Sequence, residues 1–290
     1  MYKGKQADDI MDTTYDLRIG DREISVPVAV SSMAGITDGA YIRDRAPHIG
    51  IGFAGGYAID EKTIAAARVL HHEGRKEFLP SDPLAEIAAQ VAVIQAAGVI
   101  PGINIRTSST DSLVNLAKSL GNGPIYEIDA HCRQKAMIDA GSGEFLLSHP
   151  EKLVSFVQAL KILGVTVSVK IRAGIADNDP ALSHLLWKAG ADILHVDLMD
   201  HGIGKLREIR NSSPVFLIAN NGVTDFESAK EYYAHGADMV SLARRSDLQT
   251  LSSLAAALLQ FTREHGWYNS PKQLCRGGDI RSLAFCCMPV

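Results

Sequence analysis

The chain has 290 residues and a formal net charge of −4, with 46% hydrophobic and 21% charged residues. This is an ordinary globular composition, and it excludes general disorder. The acidic balance also excludes a strongly basic nucleic-acid binder. No apolar run approaches the roughly 18 residues of a transmembrane helix, so we expect no membrane association.

The first residues and the cysteines indicate where the protein acts. The N-terminal segment carries acidic residues where a signal peptide would need an apolar stretch. The four cysteines are Cys132, Cys275, Cys286 and Cys287, and they do not have the even spread of a secreted disulfide framework. We therefore expect a cytoplasmic protein.

Eight short apolar runs recur along the chain. They are nearly continuous rather than alternating, which is typical of strands covered on both faces. They span 26–32, 49–56, 100–106, 124–130, 165–172, 192–198, 214–220 and 238–244. Segments of helical period lie between them, most clearly 83–98, 150–164, 225–237 and 247–266. The pattern predicts a (β/α)8 TIM barrel, and an open doubly wound sheet is the alternative.

The two ends of the chain differ from this pattern. Gly20 and Asp21 separate two alternating runs, which predicts a β-hairpin before the first barrel strand. After Gly266 the helical period fades and three cysteines follow. We expect a barrel domain over 1–266 and a short Cys-rich appendage over 267–290, which ends soon after Cys287 and so could be a truncated part of a larger unit. No four ligands stand at a zinc or iron–sulfur spacing, so no metal site is predicted.

Functional groups of such barrels lie on the loops that follow the strands. The fourth strand is followed by Cys132 in a polar run that also holds Arg133 and Lys135. These two cations predict a thiol of modest pKa, suited to act as an acid or a nucleophile. The alternative is that Cys132 is a small buried apolar residue.

Two further strands carry charged residues near their ends. Lys170 and Arg172 share one face of the fifth strand, and two cations facing a barrel interior need an anionic or electron-rich ligand. A solvated strand end is the alternative. In the sixth strand, His195 is expected to be a hydrogen-bonded core residue, whereas Asp197 lies nearer the catalytic rim.

The loops after the seventh and eighth strands have the features of a phosphate site. Asn221 and Gly222 follow one strand, and Arg244 and Arg245 end the other. Glycine permits close backbone approach and arginine gives bidentate bonds to phosphate. Two surface loops with an incidental arginine pair are the alternative.

Taken together, these segments resemble the tRNA-dihydrouridine synthase family of FMN-dependent barrels, which is related to dihydroorotate dehydrogenase. The resemblance covers about residues 25–250. It rests on the order of several motifs: Ser32–Asp38, Asn104, Asp129–Arg133, Gly141–Leu147, Val169–Gly174, Asn221–Gly222 and Ala243–Arg244.

The resemblance implies an oxidoreductase that binds FMN and acts on a C=C bond of a pyrimidine-like substrate. The cofactor-binding residues it implies are Ser32, Met33 and Ala34 under the ring, Asn104 and Lys170 at its edge, and Asn221, Gly222, Ala243 and Arg244 at the phosphate. Lys170 would stabilise charge on the reduced ring. Cys132 would donate a proton to the carbon next to the one that receives the hydride. Asp129, Arg172 and Asp197 would lie on the substrate side.

The chain departs from the family pattern at several positions. Asp129 replaces an Asn, Arg133 a Pro, and Asp197 a His that contacts flavin. The residues after about 266 leave no room for the helical domain that grips tRNA, and the net charge disfavours a polyanion. A small-molecule or nucleoside substrate is therefore expected ahead of tRNA.

Two other functions stay open at this point: a dihydroorotate-dehydrogenase-like enzyme on a free metabolite, and a non-catalytic barrel that binds a phosphorylated ligand. The Cys-rich tail resembles a domain found beside such barrels in methanogenic archaea, which favours an archaeal source. The sequence leaves the oligomeric state open, including a homo-oligomer.

Overall fold

The computed structural model describes residues 17–199 and 201–265. The chain enters through an antiparallel hairpin of β1 (Arg18–Ile19) and β2 (Arg22–Glu23), with Ile19 paired to Arg22. Gly20 takes a positive φ of 58° in the connecting turn, a conformation that favours glycine. The predicted hairpin is confirmed.

Eight parallel strands follow and close into a barrel, in the order β10-β3-β4-β5-β6-β7-β8-β9. They are β3 (Val28–Val30), β4 (Ile51–Ala58), β5 (Ile100–Arg106), β6 (Ile125–Ala130), β7 (Thr166–Arg172), β8 (Ile193–Asp197), β9 (Phe216–Asn220) and β10 (Met239–Leu242). Each lies within or next to a predicted apolar run. The (β/α)8 TIM barrel is thus confirmed, and the open sheet is excluded because β10 pairs with β3.

Helices connect the strands around the outside of the barrel. They are α1 (Gly39–Arg43), α2 (Glu61–His72), α3 (Pro83–Ala96), α4 (Thr110–Leu120), α5 (Lys135–Asp139), α6 (Pro150–Ile162), α7 (Asp179–Ala189), α8 (Gly204–Ser212), α9 (Phe226–Ala234) and α10 (Leu248–His265). Short 3-10 turns occur at Ala46–His48 and Gly143–Leu147. No helix among these described segments is long and apolar enough to cross a membrane.

The connection from β4 to β5 contains two helices where the sequence predicts one, at 83–98. The additional helix is α2, whose start is fixed by Asp60: its carboxylate accepts the backbone N–H of Lys62 and Thr63. The loop that follows α2, residues 73–82, returns to the C-terminal end of the barrel. It carries Glu77 into the interior, where the side chain is 1% exposed.

The hairpin and a buried ion pair cover the N-terminal end of the barrel. Arg22 donates to the carbonyl oxygens of Asn122 and Gly123 just before β6, at 2.5 and 2.9 Å. Arg210 of α8 pairs with Asp238 and also donates to three carbonyl oxygens, those of Ser213, Val215 and Gly236. These contacts hold together the segments that lead into the strands. The catalytic groups of such barrels lie at the opposite, C-terminal end.

The predicted appendage over 267–290, with Cys275, Cys286 and Cys287, lies outside the described residues. The same holds for the predicted domain boundary at 266, so both stay predictions.

Candidate active site

Polar side chains fill the interior of the barrel below its C-terminal mouth. His195 is fully buried, and its Nδ1 lies 2.7 Å from Glu127 Oε2. Its Nε2 lies 2.8 Å from Ser241 Oγ and 3.1 Å from Ser31 Oγ. Each ring nitrogen therefore has a partner, which confirms the prediction of a hydrogen-bonded core histidine.

The protonation of this pair can be assigned from its surroundings. Burial lowers the pKa of His195, so the imidazole is neutral. Burial alone would raise the pKa of Glu127, but contacts with His195, Lys170 and Asn104 outweigh it and hold the pKa low. Glu127 is therefore the anionic member, and its charge faces Lys170.

Lys170 is the most unusual residue of the interior. It lies on β7 beside Asp129 and His195 of the neighbouring strands, and it is only 2% exposed. No carboxylate of the described residues lies within 4.0 Å of its ammonium group. A buried cation without an ion pair is costly unless a ligand supplies negative charge. The prediction that Lys170 and Arg172 face an anionic or electron-rich ligand stays a prediction, and it now depends on Lys170, because Arg172 has an ion pair within the protein.

Arg172 has its ion pair within the protein. Its Nε lies 2.8 Å from Glu144 Oε1 and forms an ion pair with it, although the two groups are not aligned for a hydrogen bond. Its Nη2 donates to the His131 carbonyl at 3.2 Å. Nη1 lies 3.2 Å from Met199 Sδ. These contacts brace three loops at the mouth, and a substrate-binding role for Arg172 stays a prediction.

Cys132 follows β6 in a tight turn built on Asp129. Asp129 Oδ1 accepts the backbone N–H of His131 and of Cys132, each at 3.0 Å. The Cys132 carbonyl in turn accepts the N–H of Glu144 at 3.0 Å, and a Cβ at Gly143 would collide with that carbonyl. The thiol is 5% exposed and thus held in one place.

The expected modest pKa of Cys132 is wrong. Burial raises the pKa of the thiol, and the charges of Asp129 and Glu77 raise it further, while Arg106 opposes them. Arg133 and Lys135, from which the low pKa was predicted, are both exposed, and Lys135 pairs with Asp139. A buried thiol that stays protonated is suited to donate a proton rather than to act as a nucleophile.

His131 bridges two carboxylates at the mouth. Its Nδ1 lies 3.3 Å from Asp129 Oδ1, and its Nε2 lies 3.4 Å from Asp197 Oδ2. Burial would lower the pKa of His131, but these two contacts raise it. Burial would likewise raise the pKa of Asp197, but His131 and the Met199 N–H hold it well below its usual range. The two carboxylates therefore favour the protonated form of His131, and we call the three side chains the His131 clamp.

The predicted phosphate loops lie open at the same end. Asn221 and Gly222 have positive φ angles of 73° and 93° after β9. A Cβ at Gly222 would collide with the hydroxyl of Tyr232, which donates to the Asn221 carbonyl at 2.5 Å. After β10, Ala243 is half-buried and Arg244 is exposed. The side-chain amide of Asn221 donates to Asp197 Oδ1 at 3.3 Å, whereas the side chain of Arg244 faces solvent. The assignment of these loops to a phosphate stays a prediction.

The remaining predicted cofactor residues lie on β3 and β5. Ser32, Met33 and Ala34 follow β3 and are half-buried. Asn104 is 1% exposed, and its Nδ2 donates to Glu127 Oε1 at 2.9 Å. Its side chain thus belongs to the buried hydrogen-bond network that contains Glu127 and His195. The assignment of these four residues to a cofactor stays a prediction.

Arg106 and Glu77 belong to the site although the sequence did not indicate them, and His131 lies within the predicted Asp129–Arg133 motif but was given no role. Arg106 was recoverable, because it lies two residues after Asn104 and so shares the inward face of β5. Its Nε donates to Asp129 Oδ2 at 3.1 Å and its Nη1 to Glu77 Oε2 at 2.7 Å. Glu77 could not be predicted from the neighbouring sequence, because only its contact with Arg106 distinguishes it from a glutamate on the surface.

Comparison with known proteins agrees with this geometry. The family model of dihydrouridine synthase (Dus) matches residues 103–249, half of the chain. An uncharacterised protein of Methanocaldococcus jannaschii is 30% identical over 232 residues, 75% of this chain and 88% of that protein. A probable tRNA-dihydrouridine synthase of Rickettsia conorii is 24% identical over 245 residues, 79% of this chain and 68% of that protein.

Solved structures show the same fold at low identity. A DHODH from Eimeria tenella in complex with ferulenol superposes with a TM-score of 0.66 at 12% identity, over 98% of this chain and 90% of that one. FabK from Thermotoga maritima gives a TM-score of 0.53 at 17% identity, and the match spans 77% of this chain but only 59% of FabK.

Fold and family membership define the class of the protein: it is a flavin-dependent oxidoreductase built on a (β/α)8 barrel. Within that class, the chain belongs to the dihydrouridine synthase family.

Proposed function

We propose that this protein is an FMN-dependent reductase of a C=C bond in a pyrimidine-like substrate, with Cys132 as the proton donor. The observation that carries the proposal is Lys170, a cation that is 2% exposed and has no ion pair among the described residues. A ligand with an electron-rich edge, held at the C-terminal end of the barrel, would supply the missing partner.

The residues present fit a flavin mononucleotide. Lys170 offers a desolvated positive charge to a ring system that becomes negative on reduction. Asn221 and Gly222 of the β9 loop are exposed and have positive φ angles, and the exposed guanidinium of Arg244 follows β10. This donor set suits a phosphate monoester. When bound, the flavin supplies the hydride for one carbon of the substrate double bond.

Cys132 completes the reduction on the adjacent carbon. Its S–H bond breaks as a C–H bond forms, and the thiolate that remains takes up a proton from solvent. The raised pKa of the buried thiol keeps the proton available at neutral pH. Asp129 fixes the turn that aims the thiol, and the His131 clamp bounds the space beside it.

The substrate class we propose is a pyrimidine nucleoside, either free or within tRNA. The name of the Rickettsia relative supports the tRNA context. Exposed Arg133 and Arg245 follow β6 and β10 and would contact phosphates of a polynucleotide. We also propose that the protein acts in the cytoplasm, because its reaction needs Cys132 as a free thiol.

The test follows reoxidation of the dithionite-reduced holoprotein under anaerobic conditions. An unmodified tRNA transcript and a free pyrimidine nucleotide are compared as electron acceptors. We expect one of them to restore the oxidised flavin spectrum, and Cys132→Ala to slow that step by about 10²–10⁴-fold. Reduction by dithionite should be unchanged in the variant.

Cys132→Ser is the matched control, because the serine hydroxyl keeps the shape of the thiol but is a weaker acid. Its rate of flavin reoxidation should lie between those of the parent protein and of Cys132→Ala. Normal turnover in Cys132→Ala would remove the thiol from the reaction. No reoxidation by any pyrimidine would overturn the proposed substrate class. Tight, salt-sensitive binding of tRNA would favour the polynucleotide over the free metabolite.

A further inference from the structure

Three charged side chains form a buried chain next to Cys132. Arg106 of β5 lies between Glu77, which comes from the loop at residues 73–82, and Asp129 of β6. The guanidinium is 2.7 Å from Glu77 Oε2 and 3.1 Å from Asp129 Oδ2. The side chains of Arg106, Glu77 and Asp129 are 7%, 1% and 2% exposed, so the pairs are screened from water. We call these three residues the Glu77 triad.

The surrounding backbone is shaped to admit the Glu77 triad. A Cβ at Gly56 would lie 2.7 Å from Arg106 Nε and 2.8 Å from Asn104 Oδ1. Gly35 has a positive φ of 67°, and a Cβ there would lie 2.6 Å from the backbone nitrogen of Glu77. Glycine at both positions leaves the space that the arginine and the Glu77 loop occupy. The triad is therefore a built feature of the mouth rather than a chance surface contact.

One carboxylate of the Glu77 triad holds the turn that carries the thiol. Asp129 uses Oδ2 for Arg106 and Oδ1 for the N–H groups of His131 and Cys132. Burial alone would raise the pKa of Asp129, but the contacts with His131 and Arg106 hold it well below its usual range. Asp129 thus stays ionised, and it connects Arg106 to the turn that carries Cys132.

The charges that face the Cys132 thiol belong to the Glu77 triad. Arg106 stabilises the thiolate, whereas Asp129 and Glu77 destabilise it. The backbone N–H of Gln134 also hydrogen-bonds the thiol and opposes the rise of its pKa. The apolar residues clustered with Cys132 include Ala66, Ala67 and Leu70 of α2 and Met137 of α5. With Glu77 ionised, the triad carries two negative charges and one positive charge, and this balance favours the protonated thiol.

Glu77 also retains an unused acceptor. Its Oε1 is buried without a hydrogen bond, and Arg75 Nε lies 3.9 Å from it. Burial raises the pKa of Glu77, and Arg106 opposes that rise. The second oxygen is thus not needed to anchor the Glu77 loop, and the carboxylate acts on the site chiefly through its charge.

We propose that the Glu77 triad positions Cys132 and sets its protonation state, with Glu77 and Arg106 as positioning residues that act through Asp129 and through charge. This role deepens the proposed function, because it concerns the proton donor of that reaction. It assigns a task to the second helix and loop between β4 and β5: they deliver Glu77 to the thiol.

The test measures the thiol pKa directly. Cys275, Cys286 and Cys287 are replaced by serine in the full chain, and the carbon-13 shift of the labelled Cys132 Cβ is followed against pH. Glu77→Gln removes a negative charge and should lower the titration midpoint. Arg106→Gln removes the positive charge and should raise it. Each shift should change the thiolate fraction at neutral pH at least about threefold.

Opposite signs distinguish electrostatic control from simple damage to the structure, since two destabilising substitutions would not move the midpoint in opposite directions. Arg106→Lys keeps the charge and should restore a midpoint near that of the parent chain even if Arg106→Gln does not fold. Arg210→Gln breaks an equally buried Arg–Asp pair at the other end of the barrel, and Lys135→Gln removes an exposed cation near Cys132 in sequence. Neither control should move the midpoint.

Midpoints that do not move in folded Glu77→Gln, or that move upward, would overturn the proposal. The readout needs neither flavin nor substrate, so it is separate from the proposed function. If the midpoints shift as expected but Cys132→Ala turns over normally, the proposed reaction is wrong and the electrostatic role of the triad stands. If reoxidation depends on Cys132 but the midpoints do not shift, the proposed reaction stands and the electrostatic role of the triad is wrong.

Discussion

The two ends of the barrel each bury an Arg–Asp pair, and they use it differently. At the N-terminal end, Arg210 donates to Asp238 and to three backbone carbonyls, so the guanidinium is fully used by the fold. At the C-terminal end, Arg106 lies between two carboxylates beside a neutral thiol and a lysine without an ion pair. One end is internally satisfied, whereas the other retains charge that a ligand can meet.

This difference shows how a single fold separates stability from chemistry. Buried charge that is completely hydrogen-bonded stabilises a structure, and buried charge that lacks a partner indicates a binding site. Both conditions occur in one barrel but on different elements: Arg210 and Asp238 lie on α8 and just before β10, whereas the charged groups of the C-terminal end lie on β5, β6 and β7. Substitutions at the two ends should therefore have separable effects.

The largest effect on folding is expected from Arg210→Gln. The substitution removes the guanidinium from Asp238 and from the three carbonyls, and it should cost about 3–5 kcal/mol of unfolding free energy. Urea denaturation measures this loss. The FMN affinity of the folded fraction should be unchanged. A parallel loss of flavin binding would contradict the claim that the N-terminal end affects stability alone.

Lys170→Met should weaken FMN binding by about 10–100-fold, because a charge-assisted contact contributes on the order of 1.5–3 kcal/mol. Fluorescence titration of the apoprotein with FMN measures it. Lys161→Met is the matched control: Lys161 pairs with Asp192 at 2.7 Å at the N-terminal end and should not affect the flavin. Equal affinity in Lys170→Met and the parent protein would show that the buried cation serves another purpose.

Gly222→Ala tests the phosphate loop. The new methyl group would meet the Tyr232 hydroxyl at a positive φ, which should cost about 1–3 kcal/mol and lower FMN affinity. In a Tyr232→Phe background the collision is relieved, so part of the loss should be recovered. Gly204→Ala, where nothing lies within 4 Å, is the control that should be silent. The loop would be unimportant for FMN if Gly222→Ala bound it normally.

The smallest predicted effect is a pH dependence of stability from His131. Its pKa is raised in the folded protein, so the clamp contributes fully below the unfolded value of 6.5 and is lost as pH rises through the folded value. The stability difference between the parent protein and His131→Gln should be on the order of 1 kcal/mol near pH 6 and should decrease at alkaline pH. Urea denaturation at several pH values measures it, and a difference that grows with pH would contradict the clamp.

The fold was predictable because each barrel strand is covered on both faces and therefore reads as a continuous apolar run. Strand ends were less predictable, since they depend on pairing: β3 is only Val28–Val30, although its run spans 26–32. Helix α2 was missed because its cap at Asp60 and its small apolar face with Ala66 and Ala67 lack a strong periodic signal.

The site was only partly predictable. Cys132 and the Asn221–Gly222 loop follow strand ends, and Lys170 lies near the end of β7, so local sequence placed them near the mouth. The protonation of Cys132 was predicted wrongly because it depends on Arg106 and Glu77, which are 26 and 55 residues away in sequence, rather than on adjacent Arg133 and Lys135. Burial and long-range contacts decide pKa values, and neither is visible in a local segment.

The central claim is that the C-terminal end of this barrel holds a flavin. The most direct measurement is the visible absorbance of the purified protein after incubation with FMN and gel filtration, with circular dichroism to verify that the chain is folded. The account predicts flavin bands that coelute with the protein at one FMN per chain. A folded protein from which all FMN separates on the column would contradict it.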